Sequence, residues 1–489
     1  MTSERSLHRD WGVYIDGRWT EPVNGGRLDA LSPSSGARFA SVASGDANDV
    51  GLAVGAAARA AGHWASVSAF ERAAKLNEAA RLIAANRESL ARALAEDQGK
   101  PLLSEAYDEV DELGVYFVMA AEDAKRDSGS MPRSVDPNRR ILQYRVPLGV
   151  VGVISPWNWP YTMGAELFAP ALAAGNTVVW VPAPSTAACS AQLTDVIAQA
   201  GFPAGVFNFV SGPGPVVGDA LAGHPAIDGI GFVGSVLTGA KVAQRSAGKV
   251  QILELGGNGP FVVLEDADLD AAVAATLDAA FLCAGQSCTA GELFLVHRKV
   301  REEFTERLLH SIRESVKLGD PFDDSTTMGP LNNELNALKF DRHIQDARAR
   351  GARIVAGGAR APGFLTSLYA QPTVIDGVST EMAIATEETF SPVVPIMEIG
   401  SDAEAIEVMN RNQFGLTSAV FTRDLARGLR YAEAARAGWV NVNASTNLWE
   451  SHLPFGGRSG TLSGRGRVGG RFVMDAFSEP KIVVLQLGN

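Results

Sequence analysis

From about residue 149 onward the chain alternates short apolar runs with Ala-rich stretches, and this alternation restricts the fold more than any other feature. The runs at 149–154, 177–181, 206–210 and 229–233 have strand length, and the segments between them are long enough for helices. A strand, a covering helix and a second strand close most simply as a parallel pair, so the pattern reads as βαβ units. After the glycines at 256 and 257 a second alternating stretch begins. It carries an expected strand at 261–264 and an expected helix at 268–283. A further helix is marked by Phe304, Leu308, Ile312 and Val316, each four residues apart, and a strand region is expected over 385–397. The fold class is α/β, with two parallel-sheet domains divided near Gly256 and Gly257.

Upstream, Leu76, Ala79, Ala80, Ile83, Leu90 and Leu94 recur on one face of a helix expected over 70–97. Gly99-Lys100-Pro101 supplies its stop. At the other end, 472–487 is apolar and partly β-branched, which suits a strand pairing outside its own domain. The Gly- and Arg-rich stretch 456–471 is the expected flexible loop.

A chain of 489 residues is long enough for two or three domains with a large core. Its 43 Lys and Arg against 55 Asp and Glu are scattered and give a net charge of -12, which argues against nucleic-acid binding. Residues 1–10 lack an apolar signal core and no apolar run reaches membrane-span length, so a cytoplasmic protein without a membrane partner is expected. The three cysteines, Cys189, Cys283 and Cys288, have neither metal-ligand spacing nor a disulfide framework, so no metal is expected and at least one thiol is free.

Three segments carry chemistry. Cys288 follows the expected helix in Cys283-Ala-Gly-Gln-Ser-Cys288-Thr-Ala-Gly, where small neighbours leave a sulfur open to approach. A single cysteine is more often a small core residue than a nucleophile. Glu254 stands between leucines ahead of Gly256 and Gly257, where burial would raise its pKa into the range of a general base. A lone glutamate at a strand exit is ordinarily solvated or paired. Asn158 lies in Ser155-Pro156-Trp157-Asn158-Trp159-Pro160, a loop fixed by prolines and dried by indoles, from which an amide could donate to an oxyanion. Alone, an asparagine in such a turn is usually structural.

Asn158, Glu254 and Cys288 in that order, the last two 34 residues apart, together resemble the aldehyde dehydrogenase superfamily. The resemblance runs over nearly the whole chain and includes Pro147-Leu-Gly-Val-Val-Gly152, Phe232-Val-Gly-Ser235, Glu387-Glu388-Thr-Phe390-Ser-Pro392 and Pro454-Phe-Gly-Gly457. It implies two Rossmann-like domains: a dinucleotide-binding domain from 1–124 and 148–255, and a catalytic domain from 256–458. An oligomerisation β-flap from 125–147 and 471–489 would build a homodimer or homotetramer. It also implies oxidation of an aldehyde to the acid. Cys288 would form a thiohemiacetal, Asn158 would hold its oxyanion, and Glu254 would activate water to hydrolyse the thioester. NAD is the implied cofactor, with NADP also open, held by Ile154, Ser155, Pro156, Trp157, Val181, Gly234, Ser235, Gly257, Glu388 and Phe390. The substrate pocket is implied at Trp159, Tyr161, Met163, Ser287, Thr289 and Phe455.

The sequence departs from the family pattern at several points. Val181 stands where a lysine usually holds the adenosine ribose, and Pro184 where a glutamate usually rejects a 2'-phosphate. No Arg or Lys occurs over 181–189 to pair with a phosphate, which favours NAD. Leu167 replaces a common lysine, Cys283 an asparagine, Leu293 an arginine and Val468 a glutamate, and the loop after Gly457 is about two residues longer than usual. An acyl-transferring enzyme that releases its thioester to coenzyme A is the competing reading; Glu254 argues against it. A binding protein that kept the fold without activity is a second, opposed by retention of all three reacting residues. With few charges near the pocket beyond Glu166, an apolar or aromatic aldehyde is favoured over an acidic semialdehyde.

Overall fold

The computed structural model describes residues 9–487; residues 1–8 and 488–489, which include most of the polar N-terminal segment and the end of the expected flap, lie outside the described residues. Two large sheets organise the chain. The first runs Gly464–Arg465, Val250–Leu255, Gly229–Gly234, Val150–Ile154, Thr177–Val181, Phe207–Phe209, Val13–Ile15 and Arg18–Thr20. Its five central strands, from Val250–Leu255 to Phe207–Phe209, pair in parallel. The second runs Arg353–Ala356, Thr373–Asp376, Val393–Ile399, Leu293–His297, Pro260–Val263, Thr417–Phe421 and Trp439–Val442, antiparallel only at its first pair.

The order of the first sheet explains where a ligand can enter. Val150–Ile154 has Thr177–Val181 on one side and Gly229–Gly234 on the other: the chain runs outward through Thr177–Val181 to Phe207–Phe209, then returns past its starting strand to Gly229–Gly234. That is a topological switch point, where helices on opposite faces diverge and open a crevice beyond the strand ends. The loop of Asn158 follows Val150–Ile154, Ser235 follows Gly229–Gly234, and Glu254 sits at the end of Val250–Leu255. The second sheet faces the same crevice with loops that enter its strands: Cys288 precedes Leu293–His297, and Glu388 and Phe390 precede Val393–Ile399.

Several local expectations need correction. The helix expected over 70–97 is two helices, Ala69–Ala85 and Arg87–Gln98. Asn86 breaks it: its side-chain amide donates to the Leu82 carbonyl at 2.8 Å, competing with the backbone ladder. The helix expected to reach residue 283 stops at Phe281, because Cys283, Ala284 and Gly285 all take left-handed backbone conformations. The 385–397 region is strand only from Val393, preceded by the short helix Ala383–Thr386. The 472–487 tail begins in the helix Gly470–Ala476 and becomes strand at Ser478–Gln486. That strand pairs antiparallel with Arg139–Pro147 over nine residue pairs as a separate two-stranded ribbon. The stretch expected as a flexible loop contributes Gly464–Arg465, which pairs with Leu253 and Glu254 and so backs the strand end that carries the carboxylate.

Candidate active site

The crevice is a cavity of about 790 Å³ lined by residues of both sheets. Asn158, Glu254 and Cys288 all line it. Of the other residues expected from the sequence, Pro156, Trp157, Gly234, Ser235, Glu388, Phe390, Trp159, Met163, Ser287, Thr289 and Phe455 line it as well. Tyr161 does not: it is buried in the core and its hydroxyl donates to the Leu90 carbonyl at 3.1 Å. Ser155 is one layer behind, accepting from Trp180 Nε1 at 2.8 Å, and Ile154, Val181 and Gly257 are also outside the lining.

The turn ahead of Cys288 is held by contacts that the sequence does not display. Glu105 accepts from the Cys283 N–H at 3.0 Å, and Gln98 Nε2 donates to Cys283 Sγ at 3.3 Å. Gln286 donates to the Cys283 carbonyl at 2.8 Å and accepts from the Asn332 N–H at 2.8 Å. Consecutive left-handed residues other than glycine are strained and persist only where neighbours over-determine them. The result is a fixed turn that presents Cys288 half-buried at the cavity wall. Asn158, whose Nδ2 donates to the Gln286 carbonyl at 2.9 Å, is tied to this same turn.

Glu254 is buried and neither carboxyl oxygen has a hydrogen-bond partner. Desolvation pushes its pKa up to about 8, with the nearby Cys288 thiol drawing it down and Glu388 adding to the rise. The Cys288 thiol is itself held well above the ordinary range, first by burial and then by Glu254 and Glu388. The two groups therefore titrate in each other's field. A carboxylate without a fixed partner is free to take a proton from the thiol or from water.

The residues expected to hold a dinucleotide bring a helix N-terminus and bare backbone to the cavity. Ser235 caps the helix Val236–Arg245, accepting from the Thr238 N–H at 3.4 Å, and its helix N-terminus opens on the cavity. A Cβ at Gly256 would overlap the Glu388 carboxylate, and one at Gly257 would overlap the Cys288 carbonyl, so only bare backbone fits at this turn. Glu388 accepts from the Gly257 N–H at 3.1 Å. Phe390 packs edge-to-face on Trp157, with ring centroids 5.5 Å apart. Glu292, just ahead of Leu293–His297, holds that segment by accepting from Thr389 and Phe390 N–H groups, each at 2.6 Å. Burial raises the pKa of Glu292 and of Glu388.

Sequence reasoning passed over Glu112, Lys339, Asn447 and Trp449, which also line the cavity. Glu112 had a usable signal: Glu105, Glu109 and Glu112 follow helical spacing on a face otherwise occupied by Val110, Leu113 and Tyr116. Carboxylates at core positions call for a reason. Asn447 and Trp449 had none, since a loop folding back from the second sheet is invisible in local pattern. Leu167 and Val468, where charged residues were expected, are buried in one apolar core, so the losses do not strand a single charge.

The chain matches the aldehyde dehydrogenase family over residues 19–483. It is 37% identical over 476 residues to 3-sulfolactaldehyde dehydrogenase of Pseudomonas putida, covering 97% of this chain and 96% of that protein. It is 37% identical to the chloroplastic betaine aldehyde dehydrogenase of Amaranthus hypochondriacus, covering 93% and 92%. Among solved structures, succinate-semialdehyde dehydrogenase from Burkholderia pseudomallei superposes with a TM-score of 0.95 at 34% identity, covering 99% of each chain. The chain belongs to the aldehyde dehydrogenase family. It is an oxidoreductase that converts an aldehyde to the carboxylic acid with a nicotinamide dinucleotide as oxidant.

Proposed function

We propose that the protein is a hydrolytic, NAD-linked aldehyde dehydrogenase in which Cys288 is the nucleophile, Asn158 the oxyanion donor and Glu254 the general base. The observation that supports this most is the convergence of those three side chains, from two sheets, on one cavity. Glu254, as the carboxylate, takes the Cys288 thiol proton and passes it on to solvent; Sγ adds to the aldehyde carbon, and the carbonyl electron pair moves to oxygen. An amide nitrogen carries two hydrogens. Asn158 uses one to anchor on Gln286, which leaves the other for the oxyanion together with the Cys288 N–H. Collapse of the alkoxide would expel a hydride, for which a nicotinamide held in the cavity would supply the acceptor. The thioester left on Cys288 is then attacked by water as Glu254 takes its proton, and the thiolate departs with the electron pair.

Gly234 and Ser235 would receive the pyrophosphate at a helix N-terminus, and Glu388 with Phe390 would hold the nicotinamide ribose and ring. Val181 and Pro184 leave the adenosine ribose without a charged anchor, and no basic side chain over 181–189 favours a 2'-phosphate. The reading divides the chain into a cofactor domain of 1–124 and 148–255, a catalytic domain of 256–458 and a flap of 125–147 with 471–489. Ile482, Val484, Leu485 and Leu487 are exposed on the flap, an apolar edge suited to pairing with a second copy as dimer or tetramer. Among the described residues no helix is long and apolar enough to cross a membrane, and the three cysteines are free thiols, which suits the reducing cytoplasm. Assay of the product as free acid or as acyl-coenzyme A tests the proposal. Free acid with stoichiometric NADH is expected; acyl-coenzyme A formation, or wild-type turnover by Cys288→Ala, overturns it.

A further inference from the structure

In the proposed reaction Glu254 accepts two protons in each turnover, the first from the Cys288 thiol and the second from the attacking water. The first must leave before the second can arrive. Glu254 is only 3% exposed, so its proton reaches bulk water through the polar groups that face it. One acidic neighbour is Glu388, whose carboxyl already accepts from the Gly257 N–H at 3.1 Å. The other is Glu166, on the helix Thr162–Ala174, close enough for the Glu254 charge to raise its pKa.

Glu166 is fully buried, neither of its carboxyl oxygens has a hydrogen-bond partner, and it lines the same cavity as Glu254. A buried carboxyl without a partner is costly and calls for a use. The buried ammonium of Lys100 is committed to Glu109 at 2.6 Å, so it does not lock Glu166 in its charged form. Glu112, on the helix Tyr107–Arg126 that packs against the Glu166 helix, lines the cavity as well. It is partly exposed and accepts from the Tyr116 hydroxyl at 3.4 Å, and that hydroxyl is in the field of Glu166 too. The three carboxyls thus run from a buried base, through a fully buried carboxyl, to one in contact with solvent.

We infer that Glu166 and Glu112 are a proton relay for Glu254, carrying its proton along the cavity wall to solvent by way of bridging water. The inference rests on the proposed reading, in which Glu254 is the base, and adds the path by which that base is regenerated. In each passage the O–H bond of Glu254 breaks and a new one forms, through water, on one oxygen of the Glu166 carboxyl. The proton on the other Glu166 oxygen leaves for the Glu112 carboxylate and then for solvent. One proton enters and one leaves, so no charge is stranded in the core. A protonated carboxyl can do this because it donates from one oxygen and accepts at the other. Rotation of the Glu166 carboxyl, which no hydrogen bond opposes, resets it. Burial holds Glu166 well above the carboxylate range, which keeps it protonated. Glu112, pushed up to about 7, is ionised above that pH, and it is close enough to the value of about 8 at Glu254 for the proton to pass at small cost. The charged and titratable groups that face the three are Glu388, Cys288, Glu109, Tyr116 and Lys100.

The test follows the first turnover of whichever aldehyde the wild type oxidises fastest, in weak buffer near pH 8, reading NADH by absorbance and protons by an indicator dye. In the wild type the proton is expected no later than NADH. In Glu166→Gln, whose isosteric amide cannot pass a proton on, and in Glu112→Gln, proton release should trail NADH and steady turnover should fall about 10- to 100-fold. Added imidazole, which carries protons near neutral pH, should restore both rates, and Glu166→Asp should keep most of the wild-type rate. Proton release that keeps pace with NADH in both Gln variants, or a loss that imidazole does not restore, overturns the relay. Glu112→Gln, at a partly exposed position, decides the matter if Glu166→Gln does not fold. Acyl-coenzyme A as the product would overturn the hydrolytic reading alone, because the thiol proton still leaves through Glu254 and the comparison of protons with NADH still tests the relay.

Discussion

Asn158 donates a side-chain N–H to the Gln286 carbonyl at 2.9 Å, joining the loop after the central strand of the first sheet to the turn two residues before Cys288. The two groups are 128 residues apart in sequence, and in the proposed mechanism the second amide hydrogen is left for the oxyanion. Removing it acts on the transition state more than on the bound aldehyde. Asn158→Ala should lower kcat by about 100- to 1,000-fold with little change in KM. Steady-state kinetics on a single aldehyde checks this.

As the proposed general base, Glu254 should give the reaction its pH dependence. Its carboxyl, pushed up to about 8 by burial, holds a proton below that pH and cannot act as base. Acid release should therefore rise with pH and level off above about 8. In Glu254→Gln the profile should flatten and the acyl-enzyme accumulate, visible as an added acyl mass on the intact protein.

The same burial has a stability consequence of known sign. The folded value, about 8, is above the ordinary 4.5, so folding holds a proton that the unfolded chain releases. The stability contribution is complete below about pH 4.5 and is lost as pH rises through about 8. Glu254→Gln should raise stability by about 1–3 kcal/mol near pH 8 and by much less near pH 5. Thermal unfolding at both pH values reads the difference.

Lys100 and Glu109 form an ion pair with side chains 1% and 0% exposed. Glu109 also accepts from the Tyr161 and Thr162 N–H groups at the start of the helix that carries Glu166, and Lys100 is 3.6 Å from the Trp159 ring centroid. Lys100→Met should cost about 3–5 kcal/mol, because it leaves a buried carboxylate without its cation. A lowered Tm with slower turnover of every aldehyde is the expected result.

The flap prediction concerns assembly. Val484→Asp should shift the protein toward the 51.5 kDa species in sedimentation by placing charge on the pairing edge. A wild-type protein that sediments only as that species at micromolar concentration contradicts the proposed oligomer.

How much was legible in the sequence varied with the range of the forces involved. The strands at 150–154, 177–181 and 229–234 were readable because a parallel strand buried on both faces is a continuous apolar run. The break at Asn86 was missed because the apolar spacing continues across it, while a single side-chain bond to Leu82 decides the geometry. Tyr161 is expected in the pocket only through the family resemblance, but the helix beginning at Thr162 turns it toward Leu90. Glu112 was passed over because a carboxylate on an amphipathic helix normally faces water.

By itself the sequence determined the α/β class and the two alternating stretches, which follow from local periodicity, and it singled out Cys288, Glu254 and Asn158 as candidates through their motifs. Only the tertiary structure decided that Glu254 is buried without a hydrogen-bond partner, that Cys283 and Ala284 take left-handed conformations, and that Glu112 and Glu166 line the same cavity. Those are effects of burial and packing between segments far apart in the chain, and solvent exposure is a property that no single segment possesses before it folds against the others.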